Sequence, residues 1–119
     1  MLRMRRLWSQ RIARVATNSR VVGGPIGMPA AEEAALIAES SAAISKHEGQ
    51  APRGWLSPWI AESRTTPDML VEAGYRYTLN WCMDDAPIWM HTRAGKLLAI
   101  PYPQEVNDIP SIVARGYDY

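Results

Sequence analysis

A short stretch in the second half of the chain combines aromatic and acidic side chains. Residues 76–108 contain Trp81, Asp84, Asp85 and Trp89, together with two turns bounded by proline. Small-molecule sites are lined in this way, with apolar and aromatic walls and a few placed polar groups. A carboxyl group in such a site can act as a general acid or base when burial raises its pKa. The stretch is therefore either an ordered loop over a core or the wall of a small-molecule site.

Each of these side chains also has a structural interpretation. Asp84 and Asp85 are adjacent, so in an extended segment they point to opposite faces. One could face a ligand while the other caps a turn, or both could be solvated turn residues. The tryptophans could likewise be core residues or a platform for a ligand, and these are Trp55, Trp59, Trp81 and Trp89. The residues alone leave both interpretations open.

The histidines and the cysteine lack the spacing of a metal site. His47 lies at a predicted helix end and His91 in a predicted turn, and neither has a partner in a known zinc pattern. Cys82 follows a predicted strand, where a small buried residue is expected rather than a nucleophile. Residues 21–27 are rich in glycine but lack the lysine and hydroxyl residue of a phosphate-binding loop. The sequence predicts no metal and no cofactor in this chain.

Composition limits the classes of protein to consider. The chain has 119 residues, enough for one domain with a modest core, and its formal net charge of +1 gives no reason to expect a nucleic-acid partner. A single cysteine excludes an intrachain disulfide. No apolar run approaches the roughly 20 residues that cross a bilayer. We expect a cytoplasmic protein with no membrane partner.

The first 20 residues form a basic leader. The first acidic residue of the chain is Glu32, and six arginines precede it: Arg3, Arg5, Arg6, Arg11, Arg14 and Arg20. Such a segment is similar to an organelle transit peptide or a membrane-surface helix, and the simpler interpretation is a poorly ordered tail. The predicted organisation is a leader over 1–20, a partial domain over 21–116 and a tail over 117–119.

Beyond the leader, proline and glycine delimit the predicted elements. Helices are predicted over 28–49, 65–74 and 107–116, because each begins near a proline or a capping residue and ends at a glycine. Strands are predicted in 51–59, 75–81 and 96–102. Strands that alternate with helices indicate an α/β fold with a mainly parallel sheet. In such folds the residues after the strands carry the chemistry, and here these include Trp55, Ser57, Trp59, Trp81, Asp84, Asp85, Tyr102, Glu105, Asn107 and Asp108.

Four motifs in order resemble one known family. The strings "PRGWLSPW", "TPDMLVEAGYRYTLNW", "DDAPIW" and "IPYPQEVND" look like the central part of the polysaccharide deacetylase (NodB-homology) superfamily, in the branch similar to allantoinases and cyclic imide hydrolases. The resemblance covers about residues 19–115. It implies part of a distorted (β/α) barrel, hydrolysis of non-peptide carbon–nitrogen bonds, and a small ureide, cyclic imide or N-acetylated sugar as ligand. It also implies a substrate wall formed by Trp55, Asp84, Asp85, Trp89 and Asn107.

The resemblance also implies that parts of the family pattern are missing. A (β/α) barrel needs about 250 residues, and no residue before Thr17 matches the family's early aspartate or its histidine motif. Family members can use a divalent metal, but the groups expected to activate water are absent from these motifs. We therefore expect an incomplete α/β unit with an exposed apolar sheet edge that favours self-association.

Three functional hypotheses follow from the sequence. The chain is part of a carbon–nitrogen hydrolase that is inactive by itself, a non-catalytic remnant that binds a small molecule, or the product of a truncated or frameshifted gene. No catalytic residue is predicted within the chain.

Overall fold

The computed structural model describes residues 12–14 and 27–103. Within these ranges the chain forms five strands, two α-helices and one 3-10 helix. In chain order they are β1 (Ile12–Arg14), α1 (Ala30–Glu48), β2 (Gly54–Leu56), the 3-10 helix (Pro58–Ile60), α2 (Thr66–Glu72), β3 (Tyr77–Thr78), β4 (Ile88–Thr92) and β5 (Gly95–Ala99). The helix predicted over 107–116 lies outside the described residues.

Local sequence signals explain where the helices begin and end. Pro29 is the residue directly before α1, which begins at Ala30. Gly49 ends α1 in the left-handed conformation, with φ of 70°, and its N–H donates to the carbonyl oxygen of Ser45. Gly74 follows α2 with φ of 91°. Glycine adopts these angles without the steric cost that a Cβ atom would add.

The strands form one mixed sheet in the order β1-β2-β3-β5-β4. The first four strands in this order are parallel, and β4 pairs antiparallel with β5. The prediction of a mainly parallel α/β sheet is confirmed for the described residues. The sheet is open within this part of the chain, so the barrel that the resemblance implies is not seen here.

The hairpin of β4 and β5 was not predicted. No predicted helix or strand covers residues 88–92, and His91 was expected in a turn, whereas it is an exposed residue of β4. Thr92 pairs with Gly95, so Arg93 and Ala94 make a two-residue connection. This connection lacks the Asn-Gly or Asp-Gly signature that marks most tight hairpins. Among the described strands β4 lies at one end of the sheet and its Trp89 is 57% exposed, while the exposed apolar edge stays a prediction.

A tertiary contact holds the hairpin turn. The Asp68 carboxylate in α2 accepts hydrogen bonds from the backbone N–H of Arg93 at 2.7 Å and from its Nε at 2.9 Å. The backbone donor is the main cause that lowers the pKa of Asp68, and the Arg93 guanidinium adds to it. The turn is thus fixed by a residue 25 positions earlier in the chain, which a local turn signature cannot report.

Part of the predicted leader lies in the sheet. Residues 12–14 form β1 and pair in register with residues 54–56 of β2. The sequence placed these three residues in a poorly ordered leader, whereas they pair with β2 in the sheet. The other leader residues lie outside the described residues.

The core lies between the two helices and the sheet. Its buried members are Ile37, Trp55, Leu70, Tyr75 and Leu97. The rings of Trp55 and Tyr75 meet edge to face, with centroids 5.3 Å apart and planes at 81°, an arrangement that aromatic pairs favour. Burying these side chains holds the ends of β2 and β3 together, and those strand ends carry the polar residues described next.

Candidate functional site

Polar side chains meet where two neighbouring parallel strands end. Ser57 follows β2 and Asn80 follows β3, while Glu62 lies between the 3-10 helix and α2. Because β2 and β3 pair in parallel, their carboxyl ends lie at the same side of the sheet, where α/β proteins place their ligands. We call Trp55, Ser57, Glu62 and Asn80 the strand-end cluster.

A closed set of hydrogen bonds fixes this cluster. The Ser57 N–H donates to Asn80 Oδ1 at 2.8 Å, and Asn80 Nδ2 donates to Ser57 Oγ at 2.9 Å. Trp55 Nε1 also donates to Ser57 Oγ, at 2.7 Å. Since a backbone N–H can only donate, Asn80 must turn its Oδ1 toward Ser57, which directs its Nδ2 toward Ser57 Oγ and Glu62. Trp55, Ser57 and Asn80 are all buried, so the geometry is set before any ligand binds.

Glu62 is held by this network through one of its two oxygens. Asn80 Nδ2 donates to Glu62 Oε2 at 2.7 Å. Burial raises the pKa of Glu62 to about 7, the hydrogen bond from Asn80 opposes this shift, and the charge of Glu33 adds to it. Desolvation disfavours the charged carboxylate, and a nearby like charge does the same. Glu62 therefore changes its charge near neutral pH.

A second carboxyl group, Glu33, lies behind the cluster. Glu33 is 2% exposed and belongs to α1. Its oxygens accept hydrogen bonds from Ser63 Oγ at 2.7 Å and from Thr66 Oγ1. The Ser63 N–H in turn donates to Thr66 Oγ1 at 2.8 Å. Glu33 lies in the first turn of α1, where the helix dipole favours an acid, and its hydrogen bonds also tie α1 to the start of α2.

The raised pKa of Glu62 predicts how stability depends on pH. Between pH 4.5 and about 7 the unfolded chain releases the Glu62 proton while the folded chain retains it. The free energy of unfolding should therefore fall as pH rises through this interval and level off above it. We expect a loss on the order of 2 kcal/mol, after allowing for solvent screening of a partly exposed group.

Urea unfolding at a series of pH values measures this effect. Glu62→Gln should remove most of the decrease between pH 4.5 and 7. Glu72→Gln, which changes an exposed glutamate at the end of α2, should leave it in place. An unchanged pH profile in Glu62→Gln would show that another group titrates here.

Comparison with known proteins identifies this arrangement of elements. No family model matches the chain. It is 27% identical over 94 residues to the peptidoglycan deacetylase of Helicobacter pylori, covering 79% of this chain and 32% of that protein. A crystal structure described as a polysaccharide deacetylase from Mycobacterium smegmatis superposes with a TM-score of 0.68 at 22% identity, over 72% of this chain and 30% of that one.

Two further crystal structures agree. The Puue allantoinase gives a TM-score of 0.65 at 25% identity, and a structure described as a polysaccharide deacetylase from Pseudomonas aeruginosa PAO1 gives 0.64 at 27%. Both matches cover 76% of this chain and 30% of the other. These neighbours point to the polysaccharide deacetylase family. The resemblance stated from the motifs is confirmed, and an allantoinase is among the structural neighbours. The chain spans about 30% of the length of these relatives.

The residues that the family resemblance implied as a substrate wall lie in different environments. Trp55 is 2% exposed and belongs to the strand-end cluster. Asp84 and Asp85 are exposed, and Asp84 Oδ1 accepts a hydrogen bond from the Asp85 N–H at 2.7 Å, as in a polar turn. Trp89 is exposed on β4. Asn107 lies outside the described residues, so its role stays a prediction.

Other predicted residues are placed as follows. Cys82 was expected to be buried, and this is wrong because it is exposed after the end of β3. Trp81, for which the sequence left a core and a ligand-platform role open, is 49% exposed. His47 lies in the last turn of α1 as predicted. The side chain of Trp59 lies outside the described part of the structure.

Within residues 12–14 and 27–103, no three His, Cys, Asp or Glu side chains are grouped so that they could hold a metal ion. Glu33 and Glu62 are close enough for their charges to interact, but Glu33 is already bonded to two hydroxyl groups.

Sequence reasoning missed Glu62 and Asn80. Asn80 stood within a predicted strand segment, and its position two residues after β3 was the signal that could have marked it. Glu62 carried no such signal, because its partner Asn80 is 18 residues away. None of the described helices is both long enough and apolar enough to cross a membrane.

Proposed function

We propose that this chain forms part of a hydrolase that acts on carbon–nitrogen bonds other than peptide bonds. The observation that carries the proposal is the strand-end cluster at the carboxyl ends of β2 and β3, because α/β proteins bind ligands at such ends. The sheet is similar to those of deacetylase and allantoinase structures. The relatives' names suggest two proposed ligands, an N-acetylated sugar of peptidoglycan type and a ureide. A cyclic imide is added because the sequence motifs resemble cyclic imide hydrolases. All are small and polar.

The strand-end cluster supplies groups that can bind such a ligand. Glu62 changes charge near neutral pH and lies beside a fixed amide, so it can form a directed hydrogen bond with a ligand. Trp55 forms the buried floor of the cluster. Trp89, Asp84, Asp85 and Asn107 remain proposed as further wall residues.

A second proposal is that the isolated chain binds such ligands without hydrolysing them. Attack of water on an amide carbon requires an activating base or a metal, and groups that stabilise the developing oxyanion. The described residues hold one carboxyl group with a suitably raised pKa and no grouped metal ligands. Binding needs only groups that contact the ligand, whereas turnover also needs groups that activate water and stabilise the oxyanion. We therefore propose binding without hydrolysis for the isolated chain.

We expect no hydrolysis of allantoin, succinimide or N-acetylglucosamine oligomers by the purified chain, with or without added zinc. Ring opening of allantoin or succinimide is followed by chromatography as loss of the cyclic compound, and deacetylation as release of acetate, each against a heat-denatured control. Turnover that disappears in Asp84→Asn or Asp85→Asn would contradict the proposal. It would mean that the exposed aspartates complete a catalytic site.

A further inference from the structure

We propose that Glu62 is the ligand-contacting residue of the strand-end cluster, and that its carboxylate accepts a hydrogen bond from an N–H group of a neutral ligand. This inference rests on the proposed function and assigns a specificity determinant to it. No motif of the sequence marked Glu62 for this role.

The two carboxyl oxygens of Glu62 lie in different environments. Oε2 accepts from Asn80 Nδ2 at 2.7 Å. Oε1 has no hydrogen-bond partner among the described residues, and no buried side-chain oxygen in that part of the chain lacks a partner. Oε1 is therefore accessible, and it can accept a hydrogen bond from a ligand.

The orientation of the Glu62 carboxyl group is fixed. Asn80 is 9% exposed and is bonded to both the N–H and the Oγ of Ser57. Trp55 holds the same Oγ through its Nε1. The amide of Asn80 cannot turn without breaking these bonds, so it holds the Glu62 carboxyl group in one direction. A positioned carboxylate of this kind loses little freedom when a ligand binds.

The charges around Glu62 limit the charge that a ligand can carry. Glu33, on α1, is the titratable group of the described chain whose charge acts on Glu62. Two neighbouring acids repel a carboxylate or phosphate, so the ligand is not an anion, and the neutral N–H donor follows from the ligand classes of the proposed function. A charged carboxylate only accepts hydrogen bonds, and such bonds are stronger than those between neutral groups. Ureides, cyclic imides and N-acetyl groups all carry a neutral N–H beside a carbonyl group.

Two matched imides test the inference on the full chain. Succinimide carries an imide N–H, and N-methylsuccinimide does not. Binding is followed by ¹H–¹⁵N NMR titration at pH 6 and pH 8. Because the pKa of Glu62 is about 7, the charged fraction rises about tenfold between these pH values. We expect the affinity for succinimide to rise by about the same factor, and the affinity for N-methylsuccinimide to be weaker and independent of pH.

Variants separate Glu62 from the rest of the site. In Glu62→Gln the affinity for succinimide should fall and lose its pH dependence, while Glu72→Gln should behave like the wild type. Circular dichroism melting confirms that each variant is folded, and the comparison of the two imides on the wild type needs no variant. Equal affinity for both imides, or unchanged pH-dependent binding in Glu62→Gln, would overturn the role of Glu62. Absence of binding of either imide would instead overturn the proposed function on which it rests.

Discussion

Leu97→Ala is expected to lower the free energy of unfolding by about 3 kcal/mol. Leu97 lies in β5, between β3 and β4, and is fully buried against the core of Ile37, Trp55, Leu70 and Tyr75. Truncation removes buried apolar surface and leaves a cavity that rigid neighbours on both sides of the strand cannot fill. An effect of this size is a large fraction of the roughly 5–15 kcal/mol that stabilises a typical domain.

Leu98→Ala provides the matched control. Leu98 is the next residue of the same strand, its side chain points to the opposite face of the sheet, and it is only half-buried. Urea unfolding followed by circular dichroism should show a much smaller loss for Leu98→Ala, with the same dependence on urea concentration. Equal losses in the two variants would mean that the core does not lie on the Leu97 face.

Glu33→Ala is expected to lower the free energy of unfolding by about 2–4 kcal/mol. The substitution removes two hydrogen bonds to a charged acceptor and leaves the hydroxyl groups of Ser63 and Thr66 without it. It also removes the charge that helps to raise the pKa of Glu62. The fall in stability with rising pH should therefore end at a lower pH than in the wild type.

Glu32→Ala is the control for this substitution. Glu32 precedes Glu33 in the first turn of α1 but is exposed, so its removal should change stability by less than about 1 kcal/mol. Thermal and urea unfolding at pH 5 and pH 8 compare the two variants. If Glu33→Ala were as mild as Glu32→Ala, the link between α1 and the start of α2 would not contribute to stability.

The helices could be predicted from the sequence because their ends depend on local chemistry. Pro29, Gly49 and Gly74 limit the backbone wherever they occur, and α1 and α2 lie where these residues placed them. The parallel part of the sheet followed from the alternation of strands and helices. The motif resemblance was confirmed by the neighbours.

Features that depend on tertiary contacts could not be predicted in this way. The turn before β5 is held by Asp68 in a distant helix, and Glu33 is buried because Ser63 and Thr66 supply hydroxyl groups 30 and 33 residues away. The candidate site follows the same pattern. Ser57 was predicted from its position after a strand, whereas Glu62 becomes notable only when the fold brings it to Asn80.

The exposed edge of the sheet leaves self-association as a proposal. β4 is at one end of the described sheet, and its Trp89 side chain is 57% exposed. A strand at the edge of a sheet that presents an apolar side chain can pair with a strand from a second copy. Size measurement during the titrations described above would separate ligand binding from association of the chain.

The most direct test of the central claim is to locate a bound ligand by NMR. The side-chain amide of Asn80 donates to both Ser57 and Glu62, so its ¹H–¹⁵N signals report on the whole strand-end cluster. On titration with allantoin at pH 8, the account predicts that the largest shift changes occur at this amide and at the backbone N–H groups of Ser57 and Glu62. Shift changes that leave these three signals unmoved, or that are confined to the exposed β4, would contradict it.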